Sequence, residues 1–266
     1  MKKTCFIILV LLSAVSFAQN IFKNEFEQNI AIRVSQLELV DPHVYVLLFG
    51  IACTDLTGEL NSQVQTQISE DSNNDGYLDS NLITQLSSDQ PAYITSRSLN
   101  ATAIDGRCPD PLHSSACEIS SAPQNTVATN FSEIDECLAP ITNTTSGYNP
   151  APNTSNAPCY ATLPVTSSIS FAGTEVGFQG FQQAARYQGD LDLDNGLRMG
   201  FISESDAQSV VFPDTTPVIG GQTLASLLPG GMGNCSSDDD RDVFTDGKTS
   251  GWWFYFNTSS ELIELQ

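Results

Sequence analysis

Six cysteines, Cys53, Cys108, Cys117, Cys137, Cys159 and Cys235, are spread over a 266-residue chain, downstream of an N-terminal segment that reads as a secretory leader. In an oxidising compartment an even set of thiols becomes a covalent framework, so the fold has to bring distant parts of the sequence together. Fifteen pairings are open to six cysteines. Loop closure favours near neighbours, which predicts Cys108 with Cys117 and Cys137 with Cys159 and leaves Cys53 for Cys235. A zinc site would need close Cys-x-x-Cys or Cys/His pairs, and the sequence has none.

The leader has three parts: Met1-Lys2-Lys3, an apolar run from Cys5 to Val15 broken only by Ser13, and small residues at Ser16 and Ala18 before Gln19. The run is too short to span a bilayer, which takes about 20 apolar residues. No cysteine stands directly after the expected cut, so a lipid anchor is not indicated. The reading is cleavage after Ala18 and a soluble mature chain, secreted or periplasmic. Residues 44–53, the longest later apolar run, are strand-sized.

Removing Lys2 and Lys3 takes the formal charge from −21 to −23 and leaves Lys23 and Lys248 as the lysines. Such a surface repels phosphate backbones and anionic lipid heads, which excludes nucleic acid and disfavours membrane surfaces. It favours divalent cations, which relieve repulsion among close carboxylates. The chain is 40% apolar and 9% aromatic, enough to build a core rather than remain disordered.

Residues 30–53 predict two strands joined at Asp41-Pro42, the second buried on both faces. Further strands are predicted over residues 92–97, 168–171, 176–187, 197–202 and 252–257. Short helices are expected after Ser203, which can cap the following turn, and over residues 223–228, stopped by Pro229-Gly230-Gly231. Residues 118–168, rich in Ser, Thr, Asn and Pro, read as a long loop or a connector between lobes, pinned by Cys137 and Cys159. No internal repeat is present. The expected class is mainly β, an antiparallel sandwich-like domain, as one unit or two lobes, with few short helices, long loops and disulfides.

The sharpest local signal is Asp71-Ser72-Asn73-Asn74-Asp75-Gly76-Tyr77-Leu78-Asp79. Oxygen side chains at Asp71, Asn73, Asp75 and Asp79 alternate around Gly76, and the Tyr77 carbonyl supplies one more oxygen, an arrangement suited to Ca²⁺. Residues 71–82 resemble the calcium loop of EF-hands, dockerins and thrombospondin type 3 repeats. That resemblance implies a bound Ca²⁺; it departs from the EF-hand at position 12, where Leu82 stands in place of the bidentate carboxylate. A second acidic run offers Asp238, Asp240 and Asp242 as alternate ligands, or a charged loop neutralised by Arg241. A third, residues 190–196, alternates Asp with Leu as a strand does, and Asn195-Gly196 is a hairpin-turn signal.

No nucleophile elbow, zinc-protease helix, phosphate loop or dinucleotide fingerprint occurs, and His43 and His113 stand isolated. The Trp252-Trp253 pair suits core packing, with sugar stacking as the alternative. The functional expectation is an exported surface, matrix or ligand-binding module stabilised by disulfides and calcium, with carbohydrate or a surface protein as further partners. The alternative is a polysaccharide hydrolase working through a carboxylate pair.

Overall fold

A computed structural model describes residues 30–87, 98–110, 116–120, 124–171, 174–187 and 193–266. The leader, the strand expected over residues 92–97, His113 and residues 190–192 lie outside those residues. The N-terminal part contains β1 (Ile30–Asp41), β2 (Tyr45–Leu48), β3 (Ala52–Asp55), the helix α1 (Thr57–Ser69), β4 (Ile83–Ser87), β5 (Ser98–Ile104) and β6 (Gly106–Arg107). The middle contains β7 (Glu118–Ile119), β8 (Gln124–Ser132), β9 (Cys159–Thr162), β10 (Val165–Phe171) and β11 (Thr174–Tyr187). The last part contains β12 (Leu193–Ser203), α2 (Glu204–Ser209), α3 (Leu224–Leu227), β13 (Asp242–Val243) and β14 (Ser250–Ile263).

The protein is mainly β and its sheets are antiparallel. The large sheet runs β1-β4-β5-β8-β9-β11-β12-β14, and β14 pairs back onto β1, Ala31 opposite Ile263, so the path closes into a ring. Two halves of the sheet therefore face each other across a core, in the manner of a sandwich, and are joined along both edges. Every ring strand sends a side chain into one cluster. Ile32, Leu86, Ala101 and Phe131 from β1, β4, β5 and β8 meet Tyr160, Ala185, Leu193 and Leu262 from β9, β11, β12 and β14.

The other end of the molecule is built differently. There β10, β11, β12, β14 and the end of β1 continue as one sheet. Its inner face carries Val176, Phe178, Ile202, Trp252 and Phe254, packed against α1, β2 and the segment holding α2 and α3 through Leu60, Val46, Phe212 and Leu227. The period-2 alternation of a strand explains the division in β14: Trp252, Phe254 and Phe256 face inward, while Trp253 and Tyr255 face outward under Leu138 and Ile141 of the following layer. Trp252 is 0% exposed, and its Nε1–H donates to the Pro229 carbonyl at 2.9 Å. Both tryptophans are core residues.

All three predicted disulfides are present: Cys53–Cys235, Cys108–Cys117 and Cys137–Cys159. Ser203 caps α2 by accepting from the Asp206 N–H, as its sequence predicts, and Thr223 caps α3 by accepting from the Ser226 N–H.

Four expectations change. The second N-terminal strand does not run on to Cys53: Phe49 and Gly50 adopt φ of 52° and 68°, turning the chain into the β2–β3 hairpin and leaving Phe49 95% and Ile51 86% exposed. Residues 118–168 are not one loop, because β8 and β9 within them complete the ring; only residues 133–158 wrap its outside. Asn195-Gly196 lies inside β12, at a bulge opposite Thr258 and Ser260, rather than in a hairpin turn. The helix α1 was not expected; Leu60, Val64 and Ile68, four apart, face the core while polar residues cover the rest. Among the described residues no helix is long and apolar enough to cross a membrane.

Candidate functional site

Where α1 and the α2–α3 segment close over the inner face of the sheet, packing leaves a cavity of about 110 Å³. Its walls are Leu37 and Leu39 of β1, Phe178 of β11, and Phe254 and Phe256 of β14, roofed by Val64 of α1 and Leu227 of α3. None of the described residues lining it carries a charge, and its polar groups are confined to Asn61, Gln67 and Ser80. Asn61 is committed elsewhere: its amide exchanges hydrogen bonds with both backbone groups of Leu39, at 2.8 and 2.9 Å. The space is therefore dry in character, and an apolar cavity of this order is large enough for a benzene-sized group.

Next to the cavity, the inside of the ring becomes polar. In β12, Leu197 and Met199 face outward, so alternation directs Arg198 inward, level with Phe256 on β14 and Gln183 on β11. Gln183 Nε2 donates across the ring to Thr84 Oγ1 on β4, 3.3 Å away. Thr258 and Ser260 are buried on the same inner face of β14. Burial pushes the Arg198 guanidinium below its ordinary range, with the nearby Tyr160 hydroxyl acting in the opposite direction. Arg198 is half-buried and keeps part of its side chain accessible. By contrast, Arg33 is held by Glu261 at 2.9 Å and Arg186 by Asp194 at 2.7 Å.

The 71–79 loop is built from side-chain oxygens that accept its own amides. Asp75 N–H donates to Asp71 Oδ1 at 3.0 Å and to Asn73 Oδ1 at 2.8 Å, Gly76 N–H to Asp71 Oδ2 at 2.7 Å, and Tyr77 N–H to Asp75 Oδ1 at 3.0 Å. Asn74 and Gly76, at φ of 60° and 88°, make the sharp bend. Asp71, Asn73 and Asp75 are thus drawn together, whereas Asp79 is turned back to Ser72. Arg107 lies 3.4 Å from Asp75 Oδ2 and stacks 3.8 Å over the Tyr77 ring. Leu82 packs into the apolar cluster of Val34, Leu37 and Ile68. The loop's hard oxygen donors fit Ca²⁺; the closing carboxylate has no counterpart at position 12. Among the described residues no group of three or more His, Cys, Asp or Glu side chains is arranged to hold a metal ion.

The 238–242 run separates. Asp238 is exposed, with its N–H on Ser236 Oγ, and Arg241 takes Asp239 at 2.6 Å. Asp240 and Asp242 instead approach Asp41 at the end of β1. Burial, with the charges of Asp240 and Asp242, raises Asp41 to about 7 despite a 2.7 Å hydrogen bond from Ser146 N–H. Burial, with Asp240, raises Asp242 to about 7 while it accepts from Trp253 N–H at 3.2 Å. Tyr148 donates to Asp240 and stacks on His43 at 3.6 Å; His43 contacts Asp55 at 2.6 Å. Tyr255, raised to about 12 chiefly by burial, accepts the Ile141 N–H at 3.1 Å. These groups tie residues 141–148 to the ring.

No known protein family, curated protein or solved structure matches the chain. Sequence reasoning singled out neither Arg198 nor Asp41. A lone cation in the otherwise apolar Leu197–Ile202 stretch is the signal that marks Arg198. For Asp41 no local signal exists, because Ser146 lies 105 residues away in sequence and Asp240 and Asp242 farther still.

Proposed function

We propose that this chain is an exported, disulfide-braced binding module that holds a small apolar group between its sheet and α1, with Ca²⁺ in the 71–79 loop as a structural ion. The observation that carries the reading is the uncharged cavity of about 110 Å³ between the sheet and α1. An apolar void binds an apolar guest because no water has to be displaced from polar partners. Three disulfides support the export reading, since such bonds persist in oxidising compartments. They also brace the site: Cys53–Cys235 ties the hairpin leading into α1 to the chain beyond α3.

Thermal melts with benzene and with xenon test the binding reading directly. Both guests should raise the midpoint of the native chain by mass action, and Val64→Phe, which fills the void from α1, should abolish the rise while leaving the protein folded. An unchanged midpoint in the native chain would remove the reading.

A further inference from the structure

Arg198 raises a problem of charge. The chain carries 31 acidic residues against 10 lysines and arginines, so a cation has abundant partners. Yet among the described residues no carboxylate pairs with this guanidinium inside the ring. Its register neighbours are Gln183 and Phe256, and the titratable group that acts on it is the hydroxyl of Tyr160, which is itself raised to about 12 by burial and so stays neutral at physiological pH. Among the described residues none accepts a hydrogen bond from this half-buried guanidinium, so its five donors are open to a ligand. The same fork is the side chain best matched to a carboxylate, which it grips through two parallel hydrogen bonds.

The position along the ring indicates what the rest of the ligand is. Arg198 stands level with Phe256, and Phe256 is a wall of the apolar cavity. Between Arg198 and Ile202, position 200 is glycine, and Phe178, another cavity wall, covers it so closely that an added Cβ would meet the Phe178 Cβ at 2.8 Å. The polar layer and the apolar void are thus neighbouring levels of one interior. We propose that the ring binds a small amphiphilic monocarboxylate, its anionic head on Arg198 beside Gln183 and Tyr160 and its apolar end in the cavity. The inference rests on the cavity reading and adds the chemical class of the ligand. The void takes an end group the size of a phenyl ring or a short alkyl chain. A single guanidinium matches one negative charge, and the acidic exterior works against a more highly charged anion.

Hexanoate, 1-hexanol and hexylamine, which share one alkyl chain, distinguish the head group. Calorimetric titration of the oxidised protein should give hexanoate an affinity about tenfold or more above that of hexanol, the increment of one charge-assisted hydrogen-bonded pair, and hexylamine the weakest binding. Arg198→Gln should bring hexanoate down to the level of hexanol and leave hexanol unchanged. Arg198→Lys should keep part of the preference. Benzene binding by each variant shows that its interior is intact. Hexanol binding as tightly as hexanoate, or a preference that survives Arg198→Gln, would overturn the carboxylate proposal and leave the cavity reading standing. Failure of benzene and of all three hexyl compounds would overturn both.

Discussion

Replacing Asp41 by asparagine should flatten the dependence of stability on pH. Asp41 is 2% exposed, sits beside Asp240 and Asp242, and holds its proton up to about pH 7 in the fold. In the unfolded chain the same group ionises near pH 4. The native state therefore binds the extra proton between those two values, and stability falls as pH rises through that window, then levels above it. Each pH unit within the window is worth about 1.4 kcal/mol. From pH 5 to pH 7 the loss from Asp41 is roughly 2 kcal/mol, because the group is half ionised at the upper end, a fall of about 4–8 °C in melting midpoint for a chain of this size. Asparagine carries no charge and keeps an oxygen for the Ser146 N–H. The substituted protein should lose about half of the downward slope, the remainder belonging to Asp242, which is raised to about 7 in the same way. Differential scanning calorimetry at pH 5, 6, 7 and 8 reads both proteins. General charge repulsion is nearly common to the two, so the difference isolates Asp41. Equal slopes in the two proteins, or a native midpoint that rises from pH 5 to pH 7, would refute the reasoning.

Three other outcomes are expected. Millimolar Ca²⁺ should stabilise the native chain by about 1–2 kcal/mol, given the weak affinity of an open-ended extracellular loop, and Asp71→Ala with Asp75→Ala should remove that gain in a melt with and without chelator. Replacing Cys137 and Cys159 together by serine should cost roughly 3 kcal/mol in denaturant titration, because the unfolded loop they close is released. Trp252→Phe should cost about 1–3 kcal/mol in the same assay, since the Pro229 carbonyl keeps only the longer bond from the Asp240 N–H, at 3.4 Å, and a small void remains.

Local chemistry was readable in the sequence and long-range convergence was not. Cys108–Cys117 and Cys137–Cys159 follow from loop lengths and Cys53–Cys235 by elimination, the Ser203 cap from its neighbours, and β11, β12 and β14 from their long runs. The Phe49-Gly50 turn escaped notice because a phenylalanine at positive φ inside an apolar run has no composition signal. The strand β8 was obscured by its polar sequence, although it belongs to the ring. In α1 the spacing of Leu60, Val64 and Ile68 was present but diluted among Gln, Ser, Thr and Asn. The cavity could not be read at all: its walls come from segments far apart in sequence, and a void belongs to their packing rather than to any one of them.

Closure of the ring also orders events in time. The seam is made by the first and last long strands, with Ala31 opposite Ile263 and Asp41 opposite Tyr255. A chain that emerges N-terminus first can pair β4 with β5 and β5 with β8 early, yet β1 waits with one edge open until the final strand arrives. Contacts of such sequence separation make folding slow, and an unpaired edge is a template for pairing with another molecule. The vulnerable species is thus the chain before β14 has paired, and whatever accompanies it has to shield two edges, those of β1 and β12, until β14 closes the seam.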